Sequence, residues 1–241
     1  VTRARPEEQP AILTAALDRA RAGAPGGVAV FDLDSTLLDN RPRQARIVQD
    51  YGRAAGLPEL LDARPEHWQG WSLEVALRNA GLSPSQLERH LAPARAFWRE
   101  WFFTSAYCRL DVPVPGAPAF VRAVALAGAQ VAYVSGRPRQ MEDGTREALR
   151  RHGFPLPDGV RVHLLLKPAP DLHDDLWKAQ AQAQIARLGP VVAAFDNERT
   201  HINGYASAWP EALAVHLDRD DSGRPVELAA RIPSVLDFTL G

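Results

Sequence analysis

Val28-Ala29-Val30-Phe31-Asp32-Leu33-Asp34-Ser35-Thr36 is the stretch that decides how this chain folds. A short apolar run with β-branched residues predicts a buried strand, and it ends in two carboxylates two positions apart. Side chains alternate faces on an extended backbone. Asp32 and Asp34 are therefore expected to share a face where the strand gives way to a loop, with Leu33 turned into the core. Open α/β sheets place ligands outside the carboxyl ends of their strands. Two like charges held this close require a cation, a shared proton or solvent. Taken alone, the pair is equally a solvated corner with aspartate as turn former, and the rest of the chain has to decide.

The 241 residues suit one large domain or a core with a smaller module. With 46% hydrophobic and 24% charged residues the composition is that of a globular protein. A formal net charge of −1 argues against a nucleic acid polymer or an anionic membrane surface as partner. The single cysteine, Cys108, excludes a disulfide framework within the chain and a thiolate metal cluster, and is expected to be a small buried hydrophobe. No stretch approaches the roughly 20 apolar residues of a membrane span. The polar, proline-bearing segment 1–10 reads as a flexible tail without an apolar signal segment. A cytoplasmic location is the default expectation, and a start at Val1 leaves room for a leader.

Outward from the first strand, the periodicity predicts a helix over 11–22 and then, from Leu37 to Asp111, helices alone. Pro42 opens one, 73–80 forms another, and Ser83-Pro84 caps and starts a third through Leu91. A fourth is expected over 94–107, with Phe97, Trp98, Trp101 and Phe102 on adjoining sides. Val112-Pro113-Val114-Pro115-Gly116 marks a boundary. Beyond it, strands over 130–135, 160–166, 191–195 and 215–217 alternate with helices over 117–127, 141–152 and 173–188. That alternation predicts an α/β fold: a Rossmann-like parallel sheet sandwiched by helices, built from 11–38 and 112–241. An all-helical cap over 39–111 is inserted after the first strand.

Polar groups gather at the strand ends: Asp32 and Asp34 on the first, Ser135 on the second and Asp196 on the fourth. Lys178 follows near a helix start, with Lys167 as its rival. Two carboxylates from separate strands plus a carbonyl form a hard, oxygen-only set that favours Mg²⁺. A hydroxyl and an ammonium complete a cradle for phosphate. A carboxylate nucleophile also needs a neighbouring acid to protonate the leaving oxygen. Asp32 suits the nucleophile and Asp34 the acid/base.

The four motifs, in order, resemble those of the haloacid dehalogenase superfamily phosphatases. Asp32-Leu33-Asp34-Ser35-Thr36 matches the first, Ser135 in Val134-Ser135-Gly136-Arg137 the second, Lys178 the third and Asp196-Asn197-Glu198 the fourth. The resemblance implies core strands in the order 5-4-1-2-3 and a cap that closes over the site. It implies a phospho-aspartate on Asp32 and Asp34 as general acid/base. Mg²⁺ would be held by the side chains of Asp32 and Asp196 and the backbone carbonyl of Asp34. Ser135 and Lys178 would bind the phosphoryl oxygens. An aspartate at position 34 separates phosphatases and phosphomutases from dehalogenases, which lack it.

Further candidates are Ser35, Thr36 and Gly136 for phosphate and Asn197 for the metal, with Glu198 as a substitute ligand. Arg137 either approaches the substrate or pairs with a local carboxylate, and the same alternatives hold for Arg139. Asn40 and Arg41 are candidates at the cap hinge. Tyr51, Trp68 and Trp71 are better read as cap core than as a substrate platform, and His201 as structural. His67, His90 and His163 have no partner at metal-ligand spacing. The expected activity is Mg²⁺-dependent hydrolysis of a small phosphorylated molecule. The alternatives are a catalytically retired member that binds a phosphorylated ligand or a protein, and a phosphomutase or phosphotransferase.

Overall fold

The computed structural model describes residues 4–240. In chain order the elements begin with α1 (Gln9–Ala22), β1 (Val28–Phe31), β2 (Leu38–Asp39), α2 (Arg41–Ala55), α3 (Leu73–Asn79), α4 (Pro84–Phe102) and α5 (Ser105–Cys108). They continue with β3 (Val112–Pro113), α6 (Ala117–Leu126), β4 (Gln130–Pro138), α7 (Glu142–Arg151), β5 (Val162–Lys167) and α8 (Asp174–Ala186). The last are β6 (Val191–Asp196), α9 (Arg199–Ala208), β7 (Leu213–Leu217) and β8 (Ser234–Val235). The chain divides into two compact units, one of residues 4–38, 113–139 and 149–240, the other of 39–112 with 140–148. The second unit thus takes in a segment beyond the expected boundaries of 39 and 111.

The first unit is built on a six-stranded sheet in the order β5-β4-β1-β6-β7-β8, with parallel pairing. Apart from the edge strand β8, which the periodicity does not announce, this is the expected order 5-4-1-2-3. Alternation along each strand sorts its side chains onto two faces. Val28, Val30, Ala132, Val134 and Ala194 pack with Trp177, Ala181 and Ile185 of α8 and with Ile202 and Tyr205 of α9. The odd-numbered neighbours face the other way: Phe31 and Phe195 stack at 4.9 Å, and Phe120 of α6 meets Phe195 edge-on at 5.5 Å. Phe238 closes this cluster, 5.2 Å from Phe120. Position 116 must be glycine, because its φ is +74° and a Cβ would lie 2.4 Å from the Phe238 carbonyl.

The expected tail, 1–10, lies outside the described residues over its first three positions. From Ala4 onward it is anchored: the Ala4 N–H donates to Asp218 Oδ2 at 3.0 Å, and the Gln9 amide donates to Asp237 Oδ1 at 2.7 Å. Among the described residues no helix is long and apolar enough to cross a membrane.

The second unit has its own core, in which Val48, Tyr51, Leu57, Leu60, Trp68, Leu73, Leu77 and Leu82 meet. Ser83 caps α4 as expected: its Oγ accepts from the Gln86 N–H at 3.3 Å, and its own N–H donates to Gln86 Oε1 at 2.9 Å. The separate third and fourth helices merge, however, into α4, which runs through Pro93. A proline inside a helix forfeits one backbone bond and costs roughly 3 kcal/mol. Leu87, Leu91, Ala94, Phe97 and Trp98, on both sides of Pro93, pack on one core, so a break would unseat half of them. Trp98 stacks on Phe102 at 4.3 Å, and the Arg43 guanidinium lies over Phe102 at 4.1 Å. Arg43 and Asp111, both fully buried, approach to 3.0 Å.

Candidate active site

β1 and β6 run side by side with Phe31 opposite Phe195, so Asp32 and Asp196 leave the sheet together. The Asp32 N–H donates to the Phe195 carbonyl at 2.9 Å. Both aspartates have the parity of Val30 and Ala194 and therefore face α8. Lys178, in the second turn of that helix, is buried, and its ammonium finds three acceptors there. Nζ lies 2.5 Å from Asp32 Oδ1, 3.0 Å from Asp196 Oδ2 and 2.9 Å from the Val134 carbonyl. Three N–H donors and three acceptors satisfy the lysine completely.

The electrostatics follow from two buried carboxylates sharing one ammonium. Burial pushes the Asp32 carboxyl up, to about 7; Lys178 opposes this, while the charges of Asp196 and Asp34 reinforce it. Asp196 is buried too, but Lys178, His201 and the Glu198 N–H outweigh the loss of solvent and hold it below the usual carboxylate range. Burial alone would lower Lys178; Asp196 and Asp32 more than offset that and keep it protonated.

Asp34 departs from strand alternation, because β1 ends at Phe31 and the chain curls. The Leu33 carbonyl accepts from Leu37 and Leu38 N–H groups at 2.9 and 2.8 Å, and Ser35 adopts a left-handed φ of +61°. The Asp34 carboxylate meets Arg137 in a two-pronged pair, Nε to Oδ2 at 2.7 Å and Nη2 to Oδ1 at 2.8 Å. Arg137 thus has the carboxylate partner that was one of its two expected roles. Thr36 Oγ1 donates to Asn197 Oδ1 and accepts from its N–H, both at 3.1 Å, and Asn197 Nδ2 donates to the Asp220 carbonyl at 2.7 Å. Both ends of the Asn197 amide thus lock one loop to another. Thr36 is the other half of this lock.

Ser135 is buried near the end of β4, where its Oγ accepts from the Arg137 N–H at 3.2 Å and its carbonyl from Trp177 Nε1 at 2.8 Å. Gly136 follows at a close crossing: a Cβ there would sit 2.6 Å from Asp174 Oδ2. Lys167 is not brought to Asp32 but pairs with Asp174 at 2.7 Å. No motif marks Trp177 in the sequence, and its adjacency to Lys178 is the one signal that points to it.

A second layer backs Asp196. His201 on α9 lies 3.6 Å from Asp196 Oδ1 and 2.9 Å from Asp175 Oδ1. Arg224 then joins Asp175 at 2.6 Å and Glu198 at 3.3 Å. Glu198 also accepts from the Ser222 N–H at 2.6 Å and hydroxyl at 2.9 Å, so it serves this outer network. In the helical unit, Asn40 is bonded to Gln44 at 2.8 Å, Arg41 to Asp39 at 2.5 Å and Tyr51 to His90 Nδ1 at 2.9 Å.

Among the described residues no group of three or more His, Cys, Asp and Glu side chains is arranged to hold a metal ion. The oxygen set is smaller: the Asp32 and Asp196 carboxylates, two acidic groups against one ammonium. That hard donor set with excess negative charge fits Mg²⁺, which binds through one or two carboxylates and keeps several waters.

Neither a protein-family model nor a curated protein matches the sequence. Solved structures do match. A HAD-superfamily hydrolase of subfamily IA from Geobacter sulfurreducens is 13% identical with a TM-score of 0.51, over 90% of this chain and 94% of that one. Protein Tyrosine Kinase A from Mycobacterium tuberculosis is 18% identical with a TM-score of 0.52, over 88% and 94%. The Class C acid phosphatase from Bacillus anthracis is 16% identical with a TM-score of 0.50, over 89% and 79%. These likenesses establish the fold: a haloacid dehalogenase-like parallel sheet with an inserted helical cap.

Proposed function

We propose that this chain is a Mg²⁺-dependent phosphomonoester hydrolase acting through an aspartyl-phosphate on a small phosphorylated molecule. The observation that carries the reading is the buried Lys178 ammonium held between Asp32 and Asp196, at the carboxyl ends of adjacent parallel strands. Lys178 engages Asp32 Oδ1 and leaves Oδ2 as the attacking oxygen. Asp32 Oδ2 bonds to phosphorus as the bond to the leaving oxygen breaks, and the Asp34 carboxyl gives that oxygen its proton. Asp34 then takes a proton from water, whose oxygen displaces Asp32 from phosphorus. Ser135 orients the phosphoryl group, and the Lys178 ammonium, held in place by its three acceptors, offsets its charge. The Asp32 and Asp196 carboxylates with the Asp34 carbonyl would hold Mg²⁺, which when bound offsets negative charge on the phosphoryl oxygens.

The test is phosphate release from a panel of phosphate monoesters with Mg²⁺ or with chelator. Turnover is expected with Mg²⁺ and lost with chelator. It is also expected to be lost in Asp32→Asn that keeps its near-UV circular dichroism. A folded Asp32→Asn protein with substantial activity overturns the nucleophile, and an inactive wild type leaves a ligand-binding role instead.

A further inference from the structure

Arg137 is a buried cation whose side chain is 1% exposed, yet it sits two positions beyond Ser135 in a strand that ends at the site. Its guanidinium meets both oxygens of Asp34, at 2.7 and 2.8 Å, in the fork geometry that fixes a carboxylate in plane and in rotation. The backbone that carries Asp34 is a loop in which Ser35 has a left-handed φ of +61°. Such a loop does little to hold a side-chain torsion. From the buried strand, the Arg137 N–H is itself tied to Ser135 Oγ at 3.2 Å.

From this we infer that Arg137 is a positioning residue: it clamps the Asp34 carboxylate in the orientation from which it reaches the leaving-group oxygen. The inference rests on the proposed hydrolase reading and adds to it a residue that acts through Asp34 rather than on phosphate. Both Asp34 oxygens accept a guanidinium N–H, so the pair fixes the rotation of the carboxylate as well as its place. With the clamp removed, the carboxylate rotates and the proton arrives misaligned. Misplacement by about 1 Å costs on the order of 10²-fold in rate. The loss falls on leaving groups that need a proton, such as alkoxides, and spares those that depart as stable anions, such as p-nitrophenolate.

The experiment compares wild type with Arg137→Gln on an alkyl phosphate and on p-nitrophenyl phosphate, with inorganic phosphate as inhibitor. The expected result is a fall of about 10²-fold in kcat for the alkyl ester at little changed KM. p-Nitrophenyl phosphate should lose less than about 5-fold, and the inhibition constant of phosphate should stay put. In an Asp34→Asn background, Arg137→Gln should have no further effect on the alkyl ester. Equal losses on both esters with weaker phosphate inhibition would show Arg137 contacting the phosphoryl group, which overturns the inference. Additive losses in the two backgrounds overturn it as well. If Arg137→Gln does not fold, Arg137→Lys keeps the charge but not the fork and should show the same leaving-group dependence. A double-mutant cycle on thermal stability reads the Arg137–Asp34 pair without any activity: no coupling removes the clamp. Coupling in a protein inactive on every ester instead removes the hydrolase reading and the positioning role with it.

Discussion

Trp177 donates its indole N–H to the Ser135 carbonyl at 2.8 Å, which ties α8 to the carboxyl end of β4. The residue after this anchor in α8 is Lys178, so the bond also sets how far the ammonium reaches. Trp177→Phe keeps most of the apolar volume but leaves a buried carbonyl unpaired, which costs about 1–3 kcal/mol. Urea unfolding should show that loss, with a lowered kcat/KM as the lysine loses its footing. Unchanged stability would mean that the carbonyl finds another donor.

Lys178→Met leaves Asp32 and Asp196 as buried like charges without their cation. Breaking a buried pair from one side costs about 3–5 kcal/mol, so unfolding in metal-free buffer should move accordingly. Activity should drop by about 10²–10³-fold in kcat/KM. Adding Asp32→Asn should recover part of the stability and none of the activity.

Lys167 makes the opposite forecast. Lys167 is buried, but its partner Asp174 is half exposed, so the pair opens onto solvent, where charge interactions are weak and screened by salt. Lys167→Ala should change kcat/KM by less than about 5-fold. A loss as large as that of Lys178→Met would move the phosphoryl contact to Lys167.

In the helical unit, Arg43 and Asp111 form an ion pair with both side chains fully buried. Arg43→Met should cost about 3–5 kcal/mol by stranding Asp111, and Arg43→Met with Asp111→Leu should recover much of it. Chemical unfolding of the three proteins measures the difference. A double variant as unstable as the single one would deny the pairing.

Asp158 gives a pH signature. Its carboxylate accepts the Val162, Val160 and Arg161 N–H groups at 2.9, 2.8 and 2.8 Å, the turn that launches β5. Those bonds hold its carboxyl down at about 2. A carboxyl depressed in the folded state stabilises fully above its unfolded value of about 3.9 and loses that contribution as pH falls through the folded one. Asp158→Ala should therefore melt below wild type at pH 7, with the gap narrowing as the pH falls from about 5 toward 2. A gap independent of pH would mean that the turn does not depend on the charge.

The sheet was legible because burial and alternation are local properties. Val28 to Phe31 declare a strand by composition, and the parity of Asp32 already assigns it to one face. The matching parity of Asp196 follows from the same rule, and Lys178 is marked by its place early in a helix with Trp177, Ala181 and Ile185 on its buried side. The positions that escaped are those fixed by distant partners. Nothing near Arg137 in the chain names Asp34 as its acceptor, and nothing near Asn197 names Thr36 or Asp220. Pro93 misled for the same reason, since a proline reads as a stop unless the apolar residues on both sides are known to share a core. Asp34 escaped because a left-handed Ser35 overrides the alternation that places Asp32.

β1 lies in the interior of the sheet, flanked by β4 and β6. It emerges early in synthesis, yet its Asp32 is 146 positions from the ammonium that it meets. A nascent chain that has made β1 therefore holds the carboxylate without the groups that give it chemistry. Insertion of β6 beside β1 brings Asp196 into place, and only with α8 laid across both does the cluster exist. The cluster therefore waits on segments far apart in the chain, and an opening that lifts α8 alone takes it apart while the sheet, in which β6 is an interior strand, still stands. Hydrogen exchange at Lys178 should then track the loss of turnover under mild denaturant, ahead of global unfolding and of exchange at Phe195 in the sheet interior.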